Sequence, residues 1–219
     1  MILTEEQLAE IRRYIFSAPR FRETYNELYD HILNALEETD KDFDIALVQQ
    51  IVKDDFGGFE YIVAQESKYQ QQVIRKYTRM LGAEMLNTFK FPAVLGNVCL
   101  IFLIIILYQT SLNYNFDIRA MYRGLYILAV IPLFFYGLKR FIADRKHIKL
   151  SIKYEFLHLA WTLAFFSCQL LSLLVFNANF FNISTHTQLM ILCAAFFTAS
   201  IYIRGFLKVY YKRINVLPV

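Results

Sequence analysis

The sequence predicts an all-α protein in which a small cytosolic helical domain precedes a four-helix transmembrane bundle. Three observations carry that prediction. Apolar residues recur at helical spacing up to about Lys90, and no segment alternates with period two long enough to read as a strand. Beyond Lys90, four apolar runs approach the ~20 residues a helix needs to cross the hydrocarbon layer. Charge divides at the same place: residues 1–90 hold 11 Lys/Arg and 16 Asp/Glu, net −5, while residues 91–219 hold 12 and 3, net +9. Positive charge confined to the ends of apolar segments marks spans and their loops, so no direct nucleic-acid binding is expected. The expected parts are an acidic helical domain over 1–58, a long connecting helix over 59–90 and a membrane domain over 91–219.

The first helix starts at Thr4, whose hydroxyl can cap an early N–H while Gln7 reaches back, and Ala18-Pro19 ends it. Leu8, Ile11, Ile15 and Phe16 share its apolar face. A second helix, about Phe21 to Glu38, carries a stripe of Phe21, Tyr25, Leu28, Ile32, Ala35 and Leu36. The third runs through Ile45, Val48, Ile51 and Val52 to Phe56, where Gly57-Gly58 supplies the left-handed stop. From Phe59 a helical stripe of Ile62, Tyr69, Val73, Tyr77, Met80 and Leu81 meets no strong breaker before Pro92. Acidic residues near the N-terminus do not fit the basic head of an export signal.

Spans are expected near 92–109, 120–138, 156–176 and 187–207, with Pro92 in a first helical turn and Pro132 kinking the second span. Orientation is set by the basic residues between them. The stretch Lys139–Lys153 holds Lys139, Arg140, Arg145, Lys146, Lys149 and Lys153 against one Asp, whereas Asn177–His186 holds no Lys or Arg. The N-terminal domain, that middle loop and the C-terminus therefore fall on the cytoplasmic side, with the loop's cations at the headgroups. An acidic domain on the same side gives the loop a second expected partner: a salt-sensitive contact between domain Asp/Glu and Arg145, Lys146 and Lys149.

Candidate sites are few. Counting from the middle of the outer loop places Glu155 and Arg204 at similar depth, so they form a candidate intramembrane ion pair. Glu155 and His158 also have a Glu-x-x-His spacing, but a metal site would need further acids that the spans lack. Thr162, Gln169 and Thr198 are candidate interhelical polar contacts, and Ala195 and Ala199 permit close helix approach. In the domain, Glu27, Asp30, His31 and Asn34 lie along one side of the second helix and are candidates for partner binding or helix packing. Cys99, Cys168 and Cys193 lie in apolar runs without metal-ligand spacing and read as free buried thiols. No catalytic residue, cofactor or metal site is expected; Asn182-Ile183-Ser184 fits a glycosylation sequon and is assigned no role.

Tyr25-Asn-Glu-Leu-Tyr-Asp-His-Ile-Leu-Asn-Ala-Leu-Glu37, then Phe43-Asp-Ile-Ala-Leu-Val, then Asp55-Phe-Gly-Gly-Phe59, resembles the small helical domain of bacterial membrane proteins encoded beside PadR-type repressors. It is similar to HAAS-like and permease-prefix-like domains, and to multi-span Bacteroidota proteins with an "ELxDHI" helix, over roughly residues 5–65. The resemblance implies a cytosolic module on a membrane anchor, connected with regulation or transport, and brings no catalytic residues. Together these features predict a non-enzymatic protein of the bacterial inner membrane, in contact with the bilayer and with a protein partner. A homo-oligomer is compatible with them. The second reading is a small transporter or accessory subunit, against which stands the lack of a deep acidic residue in any span.

Overall fold

The computed structural model describes residues 3–39, 42–114, 117–145, 148–177 and 183–214. Among these described residues there are eight α-helices and no strand: α1 Glu5–Phe16, α2 Arg22–Glu37, α3 Ile45–Phe56, α4 Phe59–Asn87, α5 Val94–Asn113, α6 Ile118–Arg145, α7 Glu155–Phe176 and α8 Thr185–Val209. The expected caps are present. Thr4 and Gln7 exchange the two capping-box bonds at α1. Gly57, at φ 70°, ends α3 by donating to Lys53 O, and Gly58 donates to Val52 O. Pro92 lies in the turn before α5 rather than inside its first turn, and Pro132 sits within an uninterrupted α6.

Contacts divide the chain into two units, residues 1–74 with 138–155 and residues 75–137 with 156–219. The divisions fall inside α4, inside α6 and after the first residue of α7. Burial explains the first of these, because Ile62 of α4 completes the core of α1–α3.

In the first unit, Ile11, Ile15, Leu28, Ile32, Leu36, Val48 and Val52 are each no more than 2 % exposed, so the predicted stripes of three short helices face one another. Helices of 12–16 residues are marginal alone, and this shared core is what holds them. Phe16 departs from the prediction, lying 45 % exposed at the edge of the α1 stripe.

Four helices among the described residues are long and apolar enough to cross a membrane, Val94–Asn113, Ile118–Arg145, Ile152–Phe176 and Thr185–Lys212, and most of their length lies in the second unit. Large apolar side chains of that unit point outward, among them Ile101, Phe102, Leu103 and Ile106 of α5 and Leu163, Phe166 and Leu170 of α7. An apolar surface of that extent is stable against lipid and not against water. Because lipid tails are as apolar as leucine, cohesion inside must come from packing and polar contacts. Phe206 is fully buried among the rings of Phe135, Phe156, Tyr202 and Tyr210. Gly205 lets α8 approach α4 so closely that a Cβ there would lie 3.0 Å from Met85 Cγ.

Candidate functional site

The basic stretch that the sequence reads as a loop is half helix. α6 continues through Arg145, so Lys139, Arg140 and Arg145 stand on its final turns. Arg140 reaches Asp144 at 3.9 Å, Arg145 lies over the Phe141 ring at 4.6 Å and Lys139 over the Tyr154 ring at 5.6 Å. Lys146 is outside the described residues, and Lys153 is half-buried.

The segment between α6 and α7 docks on the helical domain through its backbone. Leu150 O accepts from the Arg22 N–H at 3.0 Å, in the first turn of α2. Glu23, one residue on, accepts from the Ser151 hydroxyl and from the Ile152 N–H at 3.0 Å. Ser151 then caps the short 3-10 turn Ile152–Tyr154 by accepting from Lys153 N. Ser151 and Ile152 are buried. The loop and the domain thus meet, but among the described residues no Lys or Arg of the loop comes within 4.0 Å of a domain carboxylate, and the contact expected at Lys146 lies outside those residues. Arg145 and Lys149 rest on aromatic rings, and the domain carboxylate in the joint takes neutral donors. Short directional bonds of this kind are far less sensitive to salt than exposed ion pairs.

A second carboxylate braces the same region from α4. Glu66 is 3 % exposed and accepts from Arg20 N at 3.1 and 2.9 Å and from Phe21 N at 2.9 Å. It therefore ties α4 to the turn that starts α2, through two backbone donors that would otherwise be unpaired. Further along α4, Gln70 donates to Glu155 Oε2 at 3.3 Å, so the first half of this helix is docked on the connection and not free.

Between α1, α2 and the docked connection lies a concavity of about 390 Å³, walled by Phe16 and Tyr25 and edged by Arg12, Arg13, Arg22 and Lys149. Lys149 Nζ sits 4.3 Å from the Phe16 ring centroid. Burial pushes its ammonium below the usual lysine range, with the Glu66 charge opposing that effect. Arg12 donates to the Tyr29 hydroxyl at 3.2 Å and lies over that ring.

The other predicted residues serve packing and local bonding. Glu27, Asp30, His31 and Asn34 are all exposed on α2; His31 Nε2 meets Asp55 Oδ2 at 2.8 Å and its ring packs edge-on against Phe56, joining α2 to α3. Glu155 and Arg204, expected as a pair, each have a neutral amide partner instead: Gln70 for Glu155, Asn97 for Arg204. Thr162 and Thr198 bond back to their own helix, at His158 O and Ala195 O, and Gln169 is exposed, so none of the three makes the expected interhelical contact. A short hydroxyl satisfies itself on the preceding turn at less entropic cost than it can reach across to a neighbour. Longer side chains make the crossings, Tyr122 OH donating to Cys168 O at 3.1 Å and Tyr202 OH to Ala160 O at 2.8 Å, while Asn97 Nδ2 donates to Thr88 O at 3.0 Å in the turn after α4. Cys168 and Cys193 are buried as expected, while Cys99 is exposed.

Ala195 and Ala199 line a second cavity, of about 540 Å³, bounded by α4, α6, α7 and α8 and mostly apolar, with Thr78, Ser167, Thr198 and Tyr202 also on its wall. The His158 ring is tilted against those of Tyr136 and Trp161, with centroids 5.4 and 6.1 Å away. Among the described residues, no three His, Cys, Asp or Glu side chains gather as a metal site. Comparison of the chain with protein-family models, with curated proteins and with solved structures finds no match.

Proposed function

We propose that this chain is a non-enzymatic regulatory or scaffold protein of the bacterial inner membrane, whose helical domain binds a protein partner in the cytosol. The observation that carries the reading is the joint at Glu23, Leu150, Ser151 and Ile152. Through it, the domain is bonded to the segment that connects the second and third apolar helices, so a partner that shifts α2 pulls on the connection between two spans. The exposed side of α2 offers the surface for such a partner. Glu27, Asp30 and Asn34 lie open there beside the His31–Asp55 pair, and the negative charge of Glu27 and Asp30 suits a basic surface. The resemblance of residues 5–65 to HAAS-like, PadR-associated domains agrees with a regulatory module on a membrane anchor.

A photo-crosslinking amino acid at Asn34 of the full chain is expected to capture a discrete cytosolic protein in cells, and the double variant Glu27→Lys/Asp30→Lys to reduce that capture at least fivefold. Equal capture by both removes this face as the binding surface. The basic residues around the α6–α7 connection support a cytoplasmic domain. In a background without native cysteines, a membrane-impermeant thiol reagent outside intact cells should label His186→Cys and spare Lys68→Cys; the reverse pattern inverts the topology.

The 540 Å³ cavity supports a second reading, an accessory subunit of a transport system handling an apolar compound. Absence of any captured cytosolic partner, together with a transport defect on deletion of the chain, would favour it over the first.

A further inference from the structure

Four cations from three separate segments converge on one concavity in a domain that is otherwise acidic. Arg12 and Arg13 come from α1, Arg22 from the first turn of α2 and Lys149 from the docked connection. None of the four forms an ion pair within 4.0 Å among the described residues. The two carboxylates in the surrounding joint are already committed, Glu66 to the N–H groups of Arg20 and Phe21, and Glu23 to Ser151 and Ile152. The fold thus assembles like charges side by side with no carboxylate in direct contact, Glu66 and Glu5 acting on Lys149 and Arg12 only from a distance, an arrangement that an anion from outside would stabilise.

The residue types define that anion. Guanidinium forks match the oxygens of a phosphate in paired bonds, and a lysine adds a point charge. Phe16 and Tyr25 give the concavity aromatic walls, suited to the apolar flank of an ester. Its position defines a source. Lys149 precedes Ile152, the first residue of the third apolar helix, by three residues, a tether of roughly 10 Å.

We propose that Arg12, Arg13, Arg22 and Lys149 form a binding site for a phosphate group, carried either by an anionic phospholipid headgroup or by a soluble phosphate ester. With the lipid as source, the site would hold the helical domain to the bilayer surface and make its position depend on lipid composition. Half-burial of Lys149 over Phe16 fits this role, because a phosphate would add a close ionic partner to the ring and the more distant Glu66 charge that already act on its ammonium.

The test uses the full chain in nanodiscs. Native mass spectrometry of protein released from mixed phosphatidylglycerol and phosphatidylcholine discs reads retained lipid, and titration of glycerol phosphate or inorganic phosphate onto protein in pure phosphatidylcholine discs reads the soluble source. Retention of one phosphatidylglycerol, lost at least tenfold in Arg12→Gln/Lys149→Gln, supports the site with lipid as source. Saturable binding of soluble phosphate, weakened tenfold by the same variant and without phosphatidylglycerol preference, supports it with a soluble ligand. Lys53→Gln/Lys68→Gln removes the same charge from exposed positions outside the pocket and should change neither readout. The proposal is overturned by no phosphate binding of either kind, by binding that survives Arg12→Gln/Lys149→Gln, or by equal loss in the Lys53/Lys68 control. Retained helicity of each variant, checked by circular dichroism, assigns any loss to the site, and if Arg12→Gln/Lys149→Gln loses helicity the single variant Arg13→Gln replaces it with the same outcomes.

Discussion

Glu66→Ala should cost the helical unit about 2–4 kcal/mol, because it strips the acceptor from two backbone donors, Arg20 and Phe21, in a place where water does not replace it. The effect is not confined to α4. Those two donors form the turn that positions Arg22 and Glu23, and both residues hold the connection after α6. Hydrogen exchange should therefore quicken first at Arg20 and Phe21 and then at Ile152, whose N–H is bonded to Glu23. Glu66→Gln keeps one carbonyl acceptor and should lose about half as much. If Glu66→Ala changed stability by less than about 0.5 kcal/mol, the bracing role given to this carboxylate would be wrong.

Gly205→Leu should be the most disruptive single change in the membrane unit, by about 1–3 kcal/mol, through overpacking. The obstacle is partly backbone. A Cβ at 205 would lie 3.0 Å from Met85 Cγ and 3.4 Å from both Met85 N and Leu81 Cδ1. Met85 Cγ can rotate away, but the α4 main chain can yield only if the whole helix moves. Gly205→Ala should accordingly be milder than Gly205→Leu, and the ordering can be read from unfolding of the full chain by titration with denaturing detergent. Equal stability of wild type and Gly205→Leu would mean that α4 and α8 are not held at this distance. Separation of the two helices would also break the contact of Lys208 with Glu84 at 3.9 Å, although an ion pair of this exposure adds little by itself.

Local signals are legible because their partners lie close along the chain. Thr4 with Gln7, and Gly57 with Gly58, find their partners within six residues, so the capping geometry can be read from spacing alone. Four long apolar runs declare themselves because the hydrocarbon layer imposes a length and forbids charge. Glu66 is legible in principle as well. It falls on the α4 stripe with Ile62, Gln70 and Val73, at helical spacing, and a carboxylate on an inward stripe demands a partner. The candidate sites behave differently because polar side chains have choices. Thr162 and Thr198 share a depth by counting, yet each finds an acceptor on its own helix; Glu155 and Arg204 likewise each find an amide. The cationic pocket is invisible in sequence, since Lys149 stands more than 120 residues from Arg12, Arg13 and Arg22.

Periodicity, length and local caps suffice for the all-α class, for the three short helices with their inward stripes and for the four membrane-length helices, because each of these is a property of neighbouring residues. Long-range folding alone makes the connection Ile148–Tyr154 part of the N-terminal unit, turns Glu23 and Glu66 onto backbone donors there, and brings four cations together beside them. Composition suggests a diffuse attraction between an acidic domain and a basic loop. Among the described residues the folded chain supplies a few short bonds to neutral donors, since a hydrogen-bonded carboxylate in a buried joint keeps its strength where exposed charges are screened by salt.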